Sequence, residues 1–312
     1  MKILVIMTGG TISSFERDGY LAPQSDIGDI LKNEYIKETC DKDTEFEFLS
    51  PFTILSENLT GENLNNLMDA VRSNIDKGYG GIIITHGTDT LQYSAACLGF
   101  AFSDTKIPIV FVSAAYPLSD KRTNGFINFI SAVKFIKKGK SGVFVSYKNE
   151  RDEKAKMHIA TRLFTHNESL ADIESMGGEI EPLNDTKKLP EFKLSKEAHI
   201  LSISMTPGDS FSYSLENVSS VIIRPYHSGT VNTESNDFKE FLEKAKNKKV
   251  PVFLVNSREG IGYESTKDFK NLPMTVLPPS AFPAIYIKCW IAKSMGYNIE
   301  EFVNTPIYYE FI

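Results

Sequence analysis

MKILVIMTGGTISS, residues 1–14, is the stretch that decides the fold. Five apolar residues, Ile3 to Met7, run without interruption and stop at Thr8-Gly9-Gly10-Thr11. An unbroken aliphatic run of this length suits a strand covered on both faces, as in a parallel sheet flanked by helices. The glycine pair turns the chain at the strand's carboxyl end, where open α/β sheets bind ligands. Working outward, apolar runs at residues 81–85, 107–113 and 142–147 are likewise bounded by turn residues. Between them lie helical spacings: Leu64, Leu67, Met68, Val71 and Ile75, then Phe126, Phe129, Ile130, Val133 and Ile136. Alternating strands and helices predict an α/β fold with a doubly wound, mostly parallel sheet.

After residue 178 the texture changes. Residues 181–197 are polar, contain Pro182 and Pro190, and show no periodicity, so they read as a linker. Beyond them, strand-like runs at 200–204, 218–224 and 252–256 alternate with helical stretches at 236–247 and 281–295. The chain is therefore expected to divide into an N-terminal α/β domain, residues 1–182, a linker, 183–198, and a smaller C-terminal α/β domain, 199–312. It contains no internal repeat.

A chain of 312 residues buries roughly three quarters of its unfolded surface and needs no disulfide or metal to fold. Its net charge of −6 argues against nucleic acid or an anionic membrane as a partner. The short basic runs, Lys137, Lys138 and Lys140, then Lys248 and Lys249, fall at the ends of helical patterns, where they complement the helix dipole. Cys40, Cys97 and Cys289 are scattered and imply reduced thiols, the latter two as core residues. The first apolar run is too short for a signal peptide. No run approaches the roughly 20 residues a bilayer crossing needs. A cytoplasmic location is expected.

Two loops follow strand-like runs and carry chemistry. Thr8-Gly9-Gly10-Thr11-Ile12-Ser13-Ser14 offers exposed amides and clustered hydroxyls. It is neither a P-loop nor a dinucleotide fingerprint. Its plainer reading is a Gly-Gly turn whose hydroxyls bond to local backbone. His86-Gly87-Thr88-Asp89-Thr90 presents a hydroxyl and a carboxylate at a strand end, suited to a nucleophile or to binding an ammonium group. Its plainer reading is a helix N-cap.

Together, Thr-Gly-Gly-Thr-Ile-Ser at residues 8–13 and His-Gly-Thr-Asp-Thr at 86–90 resemble the two signatures of the bacterial L-asparaginase/glutaminase family. The resemblance extends through Gly19-Tyr20-Leu21, Ser56-Glu57-Asn58, residues 113–118 with Asn124-Gly125 and Ile127-Asn128, Thr206-Pro207-Gly208, and Arg224 to Thr230. Pro117-Leu118 and the absence of a leader resemble the cytoplasmic, type I branch. The resemblance implies hydrolysis of a side-chain amide, on L-asparagine or L-glutamine, through a covalent acyl-enzyme. It makes Thr11 the nucleophile and places Tyr20 on a lid. It gives Thr88 and Asp89 to a second hydroxyl-carboxylate-lysine cluster, with Asp89 also pairing with the substrate ammonium. Gly10, Ser56, Glu57 and Ala114 would bind the remainder of the substrate. It further implies a homodimer or homotetramer and no cofactor.

Metal binding is not expected: His158 and His166 stand eight residues apart in a polar stretch, with no H-E-x-x-H motif. The family's Thr-Lys pair is matched here by Thr161-Arg162. Arginine could orient Thr88 and Asp89 but could not relay a proton; the alternative is that Arg162 lies elsewhere. Thr230 stands where some relatives have asparagine, and Leu277-Pro278-Pro279-Ser280-Ala281 replaces an acidic segment. Three alternatives follow: a non-catalytic amino-acid-binding protein, an amidase for another small amide, and an ammonia-releasing component of a transfer-RNA-dependent amidotransferase. The last typically has an extra N-terminal domain, which this chain is not expected to carry.

Overall fold

The computed structural model describes residues 1–17, 19–23, 27–166, 171–177, 186–255 and 262–312. The chain begins with β1 (Lys2–Met7), the hairpin β2 (Ser14–Arg17) and β3 (Tyr20–Pro23), α1 (Ile27–Thr39) and β4 (Glu45–Leu49). It continues through α2 (Gly61–Arg72), β5 (Gly81–Thr85), α3 (Leu91–Ala101), β6 (Pro108–Val112), α4 (Gly125–Ile136), β7 (Gly142–Tyr147) and β8 (Lys156–Ile159). A second run comprises β9 (Ile200–Ser204), β10 (Ser220–Arg224), α5 (Asn236–Asn247), β11 (Val252–Leu254), β12 (Thr275–Val276), α6 (Phe282–Met295) and α7 (Ile299–Asn304).

The larger sheet has the order β4-β1-β5-β6-β7-β8; all neighbours are parallel except β7 and β8. Successive strand residues point to opposite faces, and every residue of β5, β6 and β7 is buried. Both faces of the sheet are therefore covered at these central strands, as their uninterrupted apolar runs require. Helix α1 packs on α4, and α2 on α3. The smaller sheet, β12-β11-β10-β9, is wholly parallel.

Helix α6 joins the two sheets. Ala284, Ile287 and Ile291 pack into the main core, whereas Ile285 and Cys289 pack with Ile222 and Phe253 of the smaller sheet. Residues 186–195 form neither helix nor strand, yet Leu189, Phe192 and Leu194 are buried in the main core. Asn65 fixes this strap, donating to the Leu194 carbonyl at 3.0 Å and accepting its amide at 2.8 Å. The boundary expected at 182–183 and the strand end expected at Asn256 lie outside the described residues.

Helix α2 begins three residues ahead of its apolar pattern. Thr60 accepts from the amide of Asn63, and the Asn63 side chain accepts from the amide of Thr60. This reciprocal cap satisfies orphan donors of the first turn. The smaller helix pattern at 236–247 also starts on a cap, Ser235, whose hydroxyl accepts from Phe238. Among the described residues no helix is long and apolar enough to cross a membrane.

Candidate active site

The turn after β1 is built by two glycines with positive φ, +99° at Gly9 and +75° at Gly10. A side chain could not be accommodated at either. A Cβ on Gly9 would lie 2.2 Å from the Ile54 carbonyl oxygen, and one on Gly10 would lie 2.2 Å from Cα of Gly87. The backbone thus approaches two other loops as closely as atoms allow. Hydrogen bonds stitch the three together: Gly10 N–H donates to Ile54 O at 2.9 Å, Ile54 N–H to Thr8 O at 3.1 Å, and Thr8 N–H to Thr85 O at 3.2 Å. Thr11 opens a short 3-10 turn, Thr11–Ser13, and is half-buried. The plainer reading holds for Ser14, whose hydroxyl bonds to Gly10 O at 2.8 Å.

Gly87 meets the third loop. A Cβ there would lie 2.5 Å from Ser56 Cβ. The Ser56 hydroxyl donates to Asp89 Oδ2 at 3.2 Å, and the Thr90 hydroxyl donates to Ser56 O at 2.9 Å. Neither Asp89 nor Thr90 is spent on capping: Thr90 stands at the N-cap of α3 without a side-chain cap bond. The hydroxyl-carboxylate cluster is instead tied across 33 residues of sequence to Ser56. Asp89 is exposed, Thr88 half-buried, and Ser56 and Ala114 buried; Glu57 is exposed.

His86 makes this elbow rigid. It is fully buried, with Nδ1 2.8 Å from Gly87 O and Nε2 2.8 Å from the Ser94 hydroxyl. A carbonyl only accepts, so Nδ1 carries the proton and Nε2 accepts from Ser94. Burial lowers its pKa to about 4, opposed by the bond to Gly87. His86 is a neutral clamp. Its carbonyl accepts from Ser113, which sets the Ala114 loop beside it.

The described bonds of Arg162 go to the carboxyl-terminal segment rather than to Thr88 or Asp89, a correction to the sequence reading. Its Nε donates to Tyr309 O at 2.6 Å and its Nη2 to Phe311 O at 3.5 Å, and the Thr161 hydroxyl bonds Tyr308 O. The Thr-Arg pair anchors the carboxyl-terminal segment around Tyr308 to Phe311, and Asp89 pairs with Ser56. Tyr20 heads β3 and is 79% exposed, so its ring does not cover Thr11 here. His158 lies in β8, not in a polar loop, and burial lowers its pKa to about 4. No group of three metal-ligating side chains occurs among the described residues.

Two residues to which the sequence reading gave no role at the site stand beside these loops. His166 Nε2 lies 2.9 Å from Thr88 O. Arg224 Nη2 donates to the Thr165 hydroxyl at 3.1 Å. Arg224 ends β10 at its carboxyl edge, so asking of the smaller sheet what stands at each strand's end would have found it. His166 was weighed only as a metal ligand.

The loops therefore bring a half-buried threonine, a hydroxyl-carboxylate pair and close-set backbone amides into one neighbourhood, the components of nucleophilic amide chemistry on a zwitterion. A family model described as "Asparaginase, N-terminal" matches residues 2–177. The D subunit of the glutamyl-tRNA(Gln) amidotransferase of Methanosarcina acetivorans is 30% identical over 282 residues, 82% of this chain and 64% of that protein. The L-asparaginase of Thermococcus kodakarensis is 33% identical over 148 residues, 47% of this chain and 44% of that protein. The chain thus spans less than two thirds of the length of these curated relatives. In fold it is similar to the thermostable L-asparaginase from Thermococcus kodakarensis, with TM-score 0.79 and 22% identity, covering 100% of this chain and 99% of that one. L-asparaginase I from Vibrio cholerae gives TM-score 0.77 and 20% identity at the same coverage. With more than half its length matched, all three stitched loops included, the chain belongs to the asparaginase family.

Proposed function

We propose that this chain hydrolyses the side-chain amide of L-asparagine, with L-glutamine or another small amide as the competing substrate, through an acyl-enzyme on Thr11. The Thr11 hydroxyl attacks the amide carbon and gives up its proton, and ammonia leaves as the ester forms. Water then attacks the ester, releasing the acid and restoring Thr11. A threonine hydroxyl needs a neighbouring group to take its proton. Closure of the β2–β3 hairpin would bring the Tyr20 phenol over Thr11 for this purpose. Backbone donors around Gly10 and Thr11 would hold the oxyanion. Asp89, oriented by Ser56, would take the α-ammonium, and Ser56 with the backbone at Glu57 and Ala114 would take the α-carboxylate and amide. Thr88 would orient the attacking water.

The observation that carries this reading is the stitching of the three loops at Gly10, Gly87 and Ser56, with the Ser56–Asp89 bond beside them. A cytoplasmic location, kinship with the type I branch and a homodimeric or homotetrameric assembly belong to the same proposal. Ammonia release is the test, measured with asparagine, glutamine and a panel of small amides. The parent should release ammonia, and Thr11→Ala should lower the rate at least about a thousandfold while keeping the thermal unfolding profile. Near-parental activity in Thr11→Ala would remove Thr11 as nucleophile.

The curated relatives favour a second reading, since several are amidotransferase D subunits. In that case the same amide chemistry would supply ammonia to a partner acting on charged transfer RNA. Turnover that rises sharply when such a partner is added would favour it over free-standing hydrolysis.

A further inference from the structure

Asparagine is favoured at helix N-caps because its side-chain oxygen accepts an amide of the first turn. Asn124 stands at the N-cap of α4, yet its side chain makes no cap bond. The amide is turned away from the helix. Its Oδ1 accepts the Ala115 amide at 2.8 Å and its Nδ2 donates to Lys148 O at 2.7 Å. About one turn on, fully buried Asn128 repeats the arrangement. Its Nδ2 donates to Ser113 O at 2.9 Å and its Oδ1 accepts the Lys148 amide at 2.7 Å. A side-chain amide carries an acceptor at one end and a donor at the other. Both asparagines spend the two ends on the same pair of loops, those that follow β6 and β7.

The last registered pair of β6 and β7 is Val112 with Ser146. The asparagines carry the link past that pair, with side-chain amides in place of strand-to-strand bonds. Gly125 lets the helix come this close: a Cβ there would lie 2.6 Å from Leu118 Cδ2 and 3.1 Å from Ala114 Cβ. Thr123 serves the helix start instead, accepting the Gly125 amide at 3.2 Å while its hydroxyl donates to Tyr116 O at 2.8 Å. The loop is thus gripped at Ser113, Ala115 and Tyr116, on either side of Ala114. The grip also reaches the neighbouring loop, because the Ser113 hydroxyl donates to His86 O at 2.7 Å, just ahead of Gly87 and Thr88.

We propose that Asn124 and Asn128 are positioning residues that, through the Ala115 amide and the Ser113 carbonyl, set the backbone at Ala114 against the side-chain amide of the substrate. The inference rests on the amidohydrolase reading above, in which Asp89 and Ser56 hold the α-ammonium and α-carboxylate. Those contacts survive when the clamp is cut, so the zwitterion stays bound while its amide carbon drifts from Thr11. A misplacement of this kind lowers kcat and leaves KM nearly unchanged.

The test compares the parent with Asn124→Ala and Asn124→Asp, at a half-buried position. Aspartate keeps an oxygen for the Ala115 amide and gives up only the donor to Lys148. Ammonia release from asparagine supplies kcat and KM, and NMR follows hydrogen exchange at the Ala115 amide. In Asn124→Ala, kcat should fall about tenfold with KM little changed. The Ala115 amide should exchange at least about tenfold faster, while Val110 within β6 stays protected. Asn124→Asp should recover most of both. A parental kcat in Asn124→Ala, a rise in KM alone, or a loss that aspartate does not repair overturns the proposal. So does an Ala115 amide that exchanges freely in the parent, a result that no folding defect of a variant can mask. If the parent hydrolyses no amide, the amidohydrolase reading fails separately, and exchange at Ala115 in the parent and both variants decides the clamp alone.

Discussion

Gly10 and Gly87 set how closely the two candidate-site loops approach each other. A methyl on Gly10 would sit 2.2 Å from Gly87 Cα, at a φ of +75° that side chains resist. Gly10→Ala must therefore strain the turn or part the loops, at a cost of at least about 1–3 kcal/mol. Thermal unfolding should fall by several degrees and ammonia release should drop more steeply than stability; unchanged values for both would contradict the close approach. This glycine was legible in the sequence because a Gly-Gly pair after an apolar run has few other uses. Arg162 was misplaced for an equally physical reason. A Thr-Arg pair does not say where its guanidinium points, and the acceptors that decide it, Tyr309 and Phe311, lie nearly 150 residues away in the chain. The partner of the Asp89 carboxylate, the Ser56 hydroxyl, likewise stands in a different loop, which the local sequence could not show.

At the level of elements, the carboxyl-terminal segment after α7 is held to α6 by a buried ion pair. Lys288 on α6 and Glu310 are both 0% exposed and 2.6 Å apart. Lys288 also donates to Val303 O and Thr305 O, and Glu310 accepts from the amides of Ile307 and Tyr308. Burial lowers the lysine pKa, and the nearby carboxylate opposes that shift. Removing one partner leaves the other charge buried alone, so Glu310→Gln or Lys288→Met should each cost about 3–5 kcal/mol. The double replacement Lys288→Met with Glu310→Leu should cost less than either, measured by denaturant unfolding. A double variant as unstable as the sum of the singles would contradict this account. The apolar spacing of α6 was visible in the sequence; its burial on both sides was not, because periodicity cannot say that two sheets contact one helix.

Across the whole molecule, two buried histidines set the response to acid. The pKa values of His86 and His158 are lowered from 6.5 to about 4, by burial in both cases. The unfolded chain therefore takes up these protons first. Stability is complete above about pH 6.5 and declines as pH falls toward 4, by about 3 kcal/mol per residue at full extent. Asp41 acts at lower pH still: bonds from Lys137, Thr44 and Tyr35 hold its carboxyl well below the usual range, so its contribution is lost only in stronger acid. Urea midpoints measured from neutral to mildly acid pH should fall steadily, and a flat profile would contradict the neutral clamp at His86. The alternation of apolar runs and helical spacings was enough to read the α/β architecture and its two sheets. The pairing of β7 with β8 and the packing of residues 186–195 depend on contacts distant in sequence. The central claim is that Thr11 bears the acyl group. Mixing the protein with asparagine, quenching rapidly in acid and mapping peptides by mass should show an aspartyl ester on Thr11, and more of it in Thr88→Val. An ester on another residue, or turnover with none on Thr11 in either protein, would contradict the account.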